Sequence, residues 1–541
     1  MSSRVWSLAE VALHNTARSG FFYLYLADMG VDPLTVSFHS HSSCWVIIHN
    51  NVYDMTEFLP DHPGGSNIIL KYAGRDATAV YDPIHPPDAL EKNLPPEKYL
   101  GGIDIASAVS LKAAQDSKRQ TKDELRVEKA VTEKPAINRM LSIQDIEDVA
   151  MRVMSYKTMS YYVSGADDEL TKRENGKAFS RFFFHPRVMR PISTVDPSTT
   201  ILGFKSTLPI FVSAAGLAKL GHPLGEASIT RGAGRTGIIQ MVSSASSLSV
   251  TQIAEARVRP SQPLFFQLYK HKDNRIAEGR IREIERLGYK AIFLTVDAPV
   301  GGNRERDVRA PFELEDQERE AEPEGAGEAA QEMPQTEEDV EEKSVNMDGT
   351  IGNSLHSMDA DMTFTETVPW LRSVTKLPIV IKGVQCVADA VLAAEAGVDG
   401  ILLSNHGGRQ LDYSLPPLEV LHRIRKQRPD IFDRLEGECE VCVCDVMTPL
   451  ILLFAVYIDA TNSIRLTDVL KALCLGARAV GLGRAFMYAN SAYGEAGVVQ
   501  TVRIMQREIT LGMRLLGVTS VEELVPEMVE RVDWQPTLAR L

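Results

Sequence analysis

A chain of 541 residues, 44% of them hydrophobic, is too long for one ordinary domain and long enough to bury a full core. Its net charge of −14 argues against nucleic acid as a partner, and six cysteines are too sparse for a disulfide scaffold. Residues 313–343 hold fourteen Asp and Glu against Arg319 and Lys343, so one segment carries nearly all of that charge.

Residues 1–102 form a first unit, rich in aromatic residues and short segments. The first fifteen contain Glu10 and a single arginine, which fits neither a secretory signal nor a transit peptide. Within this unit, Phe58-Leu59-Pro60-Asp61-His62-Pro63-Gly64-Gly65 precedes a helical run, and His85 follows in Tyr81-Asp82-Pro83-Ile84-His85-Pro86. Prolines and glycines hold both histidines in fixed loops. Ile68, Ile69, Leu70, Val80 and Ile84 are placed to wall a planar apolar group. Two imidazoles on one iron fill both axial positions and leave electron transfer rather than oxygen chemistry. A turn histidine and a surface histidine are the plain alternative.

Residues 103–136 are polar, charged and helix-prone, and read as a linker. From Ile137 onward the pattern alternates strand, loop and helix. Strands are expected at Leu208–Ser213, Ile238–Ser243, Leu264–Tyr269, Ala291–Asp297, Leu377–Lys382, Gly400–Ser404 and Ala479–Gly483. Helices such as Arg275–Leu287 and Val387–Ala396 lie between them. The fold class is therefore α/β, a (β/α)8 barrel over 137–541 preceded by a small α+β unit. The acidic stretch 313–346 has little to bury and is expected as a disordered insertion on the loop face. Met447–Tyr457 is apolar but too short to span a bilayer, so no membrane span is expected.

The richest motif is Gly400-Ile401-Leu402-Leu403-Ser404-Asn405-His406-Gly407-Gly408-Arg409. An apolar run ends in a polar, glycine-containing loop, which places His406 and Arg409 at the mouth of a buried strand. A base three residues from a two-point anion clamp suits an enzyme that deprotonates a small carboxylic acid. Asp297 ends another strand, and a carboxylate beside His406 would favour the imidazolium, making the two a candidate catalytic pair. Lys382 ends a third strand, where an ammonium can stabilise negative charge on a reduced cofactor. The last strand, ending in Gly483-Arg484, offers glycine amides and a cation for a phosphate.

Two resemblances attach to these residues. Cys44-Trp45-Val46-Ile47-Ile48, Val52-Tyr53-Asp54-Met55-Thr56 and His62-Pro63-Gly64-Gly65 resemble a cytochrome b5-type haem domain, which implies haem b with His62 and His85 as axial ligands. Residues 16–42 are an anomalous insertion against that pattern. Residues 137–541 resemble the FMN-dependent 2-hydroxy-acid dehydrogenases and oxidases, and the two parts together resemble the flavocytochrome b2 class of L-lactate dehydrogenases. That resemblance implies Tyr161, Tyr269, Arg304 and Arg409 as substrate contacts. It places Ser243, Gln267 and Thr295 on the flavin ring, with Lys382 beside it. Ala214, Ala215 and Gly216 lie against its face, and Gly483 and Arg484 at its phosphate.

The implied activity is oxidation of an L-2-hydroxy acid, L-lactate or a longer analogue, with electrons passed through haem b to a cytochrome c-like acceptor. An FMN oxidase using oxygen and a haem carrier with an impaired FMN domain are the alternatives. The family's paired glycines are missing before Thr467-Asp468-Val469-Leu470, and residues 442–465 are anomalous there, which threatens the phosphate site. Gly216 stands where lactate-specific relatives tend to carry Ala, and Ala245 where they tend to carry Leu. Both leave more room for a substrate side chain. A homotetramer is implied by the same resemblance. The C-terminal Ala539-Arg540-Leu541 loosely matches a peroxisomal address, so a cytoplasmic or peroxisomal location is expected, with the mitochondrial intermembrane space the family alternative.

Overall fold

The computed structural model describes residues 4–15, 43–62, 66–117, 119–319, 350, 357–433, 455–460 and 466–532. The anomalous segment 16–42, most of the acidic stretch, residues 442–454 and 461–465 and the C-terminal tripeptide lie outside them. The chain forms two compact units, Met1–Thr121 and Lys122–Leu541.

The first unit is built on a four-stranded sheet, in spatial order Val5–Trp6, Tyr99–Ile103, Asn51–Asp54, Trp45–Ile48. Trp45–Ile48 and Asn51–Asp54 form a hairpin whose two turn residues, His49 and Asn50, both take positive φ. Two left-handed residues give the turn twist that matches the twist of the strands. Cys44, Val46, Ile48 and Met55 pack with Tyr81 and Leu94 as the core on one side of the sheet. Trp6, Val11, Ile47 and Val52 form a second cluster.

The stretch expected as a linker is mostly helical, and the division between the units falls inside it. Ile105–Ser117 belongs to the first unit, where Ser107 Oγ accepts from Leu8 N at 3.0 Å. Lys122–Glu133 belongs to the second. There Arg126 donates to the carbonyls of Arg152 and Met154, both at 2.7 Å, and the Asp123 carboxylate accepts from Tyr156 N. Polar anchors hold these helices, which a search for apolar stripes does not reveal.

The second unit is a closed parallel barrel of eight strands in sequential order. They run Ile210–Val212, Ile239–Ser243, Leu264–Leu268, Ile292–Thr295, Ile379–Val384, Gly400–Leu403, Ala455–Ala460 and Ala479–Leu482. Seven coincide with expected strands. The remaining one, Ala455–Ala460, corrects the reading of 442–465 as wholly out of pattern, because it pairs with Gly400–Leu403 on one side and Ala479–Leu482 on the other. Without it the barrel cannot close. The acidic stretch also needs correction at its start, since Glu305–Arg319 is one continuous helix. Arg309 pairs with Glu305 one turn back, and Tyr156 donates to Glu313.

Strand periodicity builds the site. Phe211, Met241, Phe265, Phe293, Val380, Leu402 and Tyr457 share one buried cluster that plugs the barrel. Two residues further along six of those strands stand Ser213, Ser243, Gln267, Thr295, Lys382 and Ser404, all buried. Side chains at i and i+2 face the same way on a strand, so the interior changes from an apolar floor to a polar layer at the C-terminal end. Gly481 completes that layer: a Cβ there would lie 2.8 Å from the Phe211 ring.

Among the described residues, no helix is long and apolar enough to cross a membrane. Cys44, Cys386 and Cys474 carry free thiols.

Candidate active site

The polar layer opens into a cavity holding about 1050 Å³ of empty space, including its mouth. Its lining contains Tyr161, Ala214, Ala215, Gly216, Ser243, Gln267, Tyr269, Arg304, Lys382, His406, Arg409, Gly483 and Arg484. Asp297 and Thr295 stand behind this lining. Ser213, Tyr162, Gly302 and Met487 also line it and were missed. Ser213 was legible in principle, since it follows the floor residue Phe211 at the same interval as the others. Gly302 was not, because its need for glycine comes from the Arg409 carbonyl, which lies 2.2 Å from where a Cβ would sit.

One carboxylate sets the state of the candidate base. His406 Nδ1 lies 2.8 Å from Asp297 Oδ1. A carboxylate only accepts, so Nδ1 carries the proton and Nε2 keeps its lone pair. Tyr269 Oη is 3.3 Å from Nε2. Burial lowers the pKa of His406, Asp297 opposes that, and Lys382 adds to it, with a net lowering from 6.5. The imidazole is therefore neutral and able to act as a base near pH 7. For Asp297 burial pulls upward, but Lys382 and His406 outweigh it and hold the carboxyl well below the usual range. Asp297 is 5% exposed and Lys382 4%, with Nζ 3.4 Å from Oδ2.

Two backbone irregularities aim these groups. The register between the fifth and sixth strands shifts between Lys382 and Val384, a bulge occupied by Gly383 at φ 111°. A Cβ at Gly383 would lie 2.5 Å from Asp297 Cβ, so only glycine lets the two strand ends approach. His406 sits at φ 54° and is followed by Gly407 and Gly408, also left-handed. A non-glycine residue there costs roughly 1–3 kcal/mol, a strain characteristic of functional sites. Ser404 Oγ stabilises the turn by accepting from His406 N at 3.0 Å. Gly407 lines the cavity, whereas Gly408 packs on the backbone of Lys172, 2.5 Å from the position of a Cβ.

Opposite the base lies a cluster of guanidinium groups. Helix Tyr156–Val163 ends beside the cavity with carbonyls that its own turns cannot satisfy. Arg409 Nη2 donates to the carbonyls of Tyr161 at 2.8 Å and Tyr162 at 2.7 Å. Arg484 donates to Tyr162, Ser164 and Gly407 through Nε, Nη2 and Nη1. Cations at a helix C-terminus also complement its dipole. Burial, then the charge of Arg484, pulls the Arg409 pKa down to about 10. Arg304 is 8% exposed, with Nη2 3.6 Å from Asp307. Lys382, Arg304, Arg409 and Arg484 thus bring four cations to one cavity, with Asp297 beside Lys382 and Asp307 beside Arg304, and such a cluster suits anions.

These residues fit FMN and a carboxylate substrate. Gln267 Nε2 donates to Thr295 Oγ1 at 2.9 Å, while Gln267 Oε1 accepts from Ser243 Oγ at 3.2 Å. That places polar edges of Ser243 and Gln267 on the cavity with Thr295 as support. Ser213 Oγ, also in the lining, is buried without a hydrogen-bond partner, which a bound polar ring can satisfy. Residues 461–465, the part of the anomalous segment directly before Leu466, lie outside the described residues.

The first unit fits haem. His62 and His85 face each other with ring centroids 6.0 Å apart, a spacing that admits one metal at about 2 Å from each nitrogen. His85 Nδ1 donates to the Tyr81 carbonyl at 3.1 Å, which puts the ring proton on Nδ1 and the lone pair on Nε2, and the Tyr81 ring stacks on the imidazole at 4.3 Å. Ile69 and Leu70 pack on the core, while Ile68 and Val80 remain exposed.

A model of the FMN-dependent dehydrogenases matches residues 150–531, and one of the cytochrome b5-like haem/steroid-binding domain matches residues 33–104. This chain belongs to the FMN-dependent dehydrogenase family. It is 39% identical over 97% of its length to an L-lactate dehydrogenase (cytochrome) from Wickerhamomyces anomalus, of which 86% is covered. The corresponding protein of Saccharomyces cerevisiae is 38% identical, with 97% of this chain and 83% of that protein covered. Among solved structures, a doubly substituted flavocytochrome b2 with pyruvate bound aligns over 77% of this chain and 95% of its own, at a TM-score of 0.63 and 38% identity. FMN and haem b are accordingly its cofactors.

Proposed function

We propose that this protein oxidises an L-2-hydroxy acid to the 2-oxo acid and delivers the electrons through haem b to cytochrome c or a similar acceptor. The observation that carries the reading is the neutral imidazole of His406, fixed by Asp297 with Nε2 toward a cavity that Arg304, Arg409 and Arg484 also line. Arg409 and Arg304 hold the substrate carboxylate, and Tyr161, whose ring lies under both guanidiniums, shares it. Tyr269 orients the substrate hydroxyl toward His406. His406 Nε2 takes one proton, and Asp297 stabilises the imidazolium that results. Bound FMN would supply the acceptor for the two electrons and the second hydrogen, and would release the electrons singly to haem b. Lys382 places an ammonium where negative charge then accumulates.

Gly216 and Ala245 line the cavity with minimal side chains. Longer and aromatic 2-hydroxy acids are therefore substrates alongside lactate. Family resemblance further supports a homotetramer, checked by light scattering, and the mitochondrial intermembrane space, checked by fractionation. The test of function is steady-state reduction of cytochrome c by L-lactate, 2-hydroxyoctanoate and mandelate, with peroxide measured in parallel. Cytochrome reduction with little peroxide is expected. Peroxide formation without cytochrome reduction would establish an oxidase instead.

A further inference from the structure

Glu226 is a carboxylate at 2% exposure in the first turn of helix Gly225–Thr236, and no step above uses it. Its Oε1 accepts from Ala218 N at 3.0 Å and Ser247 N at 2.9 Å, and its Oε2 from Leu248 N at 3.3 Å. Those amides belong to two different loops. One follows the first barrel strand and carries Ala214, Ala215 and Gly216. The other follows the second strand and carries Ala245.

The first loop is strained. Leu217, directly after Gly216, sits at φ 60° and ψ 44°. A left-handed non-glycine residue persists only where its surroundings over-determine it. Here Leu217 N donates to the Ala245 carbonyl at 3.2 Å, and Tyr162 Oη donates to the Leu217 carbonyl at 2.8 Å. Lys219 N reaches Ser247 Oγ at 3.3 Å. Glu226 joins the two loops at three further points, and an ionised carboxylate is the one side chain of this size that accepts at both oxygens.

We propose that Glu226 is a positioning residue for substrate selectivity. It locks together the loops bearing Gly216 and Ala245 and so fixes the room left for the substrate side chain. The inference rests on the function proposed above. A short substrate is held by its carboxylate and hydroxyl, which other loops bind. A long one leans on the two loops that Glu226 joins.

The test compares the FMN- and haem-loaded wild-type protein with Glu226→Gln, which keeps the shape but turns one acceptor into a donor facing an amide. Titration of the visible flavin spectrum gives Kd for pyruvate and 2-oxooctanoate, and turnover gives kcat and KM for the matching hydroxy acids. The expected result is a rise of about tenfold in Kd and KM for the eight-carbon ligands, with the three-carbon values within about threefold and kcat on lactate preserved. Equal losses for both lengths, or no change for either, overturn the proposal. Thr501→Ala, which removes a buried hydroxyl bonded to Gly497 on the long helix Arg484–Leu516, controls for general destabilisation and leaves the ratio unchanged. Should Glu226→Gln yield no folded protein, Ser247→Ala decides: it cuts the parallel Lys219 link and shifts the same ratio about twofold, and an unshifted ratio overturns the proposal. If the wild-type protein binds both 2-oxo acids but turns over neither hydroxy acid, the functional proposal fails, while the Kd comparison still decides the role of Glu226.

Discussion

The two walls of the cavity are built on opposite principles. On the base side every charge has a close opposite partner: Asp297 lies between His406 Nδ1 at 2.8 Å and Lys382 Nζ at 3.4 Å. On the anion side Arg409 and Arg484 spend their donors on backbone carbonyls of residues 161–164 and 407. The base side is thus complete in the polypeptide itself, whereas on the anion side Arg409 rests on neutral carbonyl dipoles. A carbonyl is a weaker partner than a carboxylate or phosphate, so an arriving anion can recruit the Arg409 guanidinium.

Substitutions on the two walls should differ in kind. The largest effect is expected from His406→Gln, which removes the proton acceptor: kcat falls by about 10⁴-fold while FMN stays bound. Retention of a tenth of the wild-type rate would assign the base elsewhere. Asp297→Asn comes next, with kcat down about 10²- to 10³-fold, because Lys382 and the forming imidazolium both lose their counter-charge.

Its pH profile carries a sign. His406 works unprotonated, so kcat/KM rises with pH along a limb whose midpoint lies below 6.5 in the wild-type protein. Asp297 is the influence that raises that midpoint, so its loss moves the limb to lower pH. A shift upward would contradict the pairing.

On the anion side the effects fall on binding. Arg409→Lys keeps the charge but loses the planar two-point geometry, and KM for lactate rises about ten- to a hundredfold with a smaller change in kcat. A loss confined to kcat would place Arg409 with the base instead. The smallest effect is on selectivity: Ala245→Leu fills the side-chain space and lowers kcat/KM for 2-hydroxyoctanoate about tenfold relative to lactate.

The same division shows in what could be read from the residues alone. Seven barrel strands were visible as short apolar runs bounded by turns, and His406, Asp297 and Lys382 were visible because they terminate such runs. The strand Ala455–Ala460 was hidden, since the apolar run Met447–Tyr457 leads into it without turn chemistry to mark where a strand begins. Its role emerges only from pairing with both neighbours and from Tyr457 joining the barrel floor. The anchoring of Arg409 and Arg484 was equally hidden, because the carbonyls they hold lie 77 to 322 residues away. The bulge at Gly383 and the left-handed turn at His406 likewise depend on contacts between strand ends. The candidate haem ligands His62 and His85 stand out through their motif, but the tautomer of His85 depends on the Tyr81 carbonyl.

The central claim is that one cavity takes both a 2-hydroxy acid and FMN, and that the electrons reach haem b. The most direct measurement is the visible spectrum of the purified protein before and after anaerobic addition of L-lactate. A Soret band with a flavin shoulder, followed by bleaching of the flavin and reduction of the haem, is the predicted result. A haem spectrum without flavin, unchanged by lactate, would contradict the account and show that the anion wall does not retain FMN.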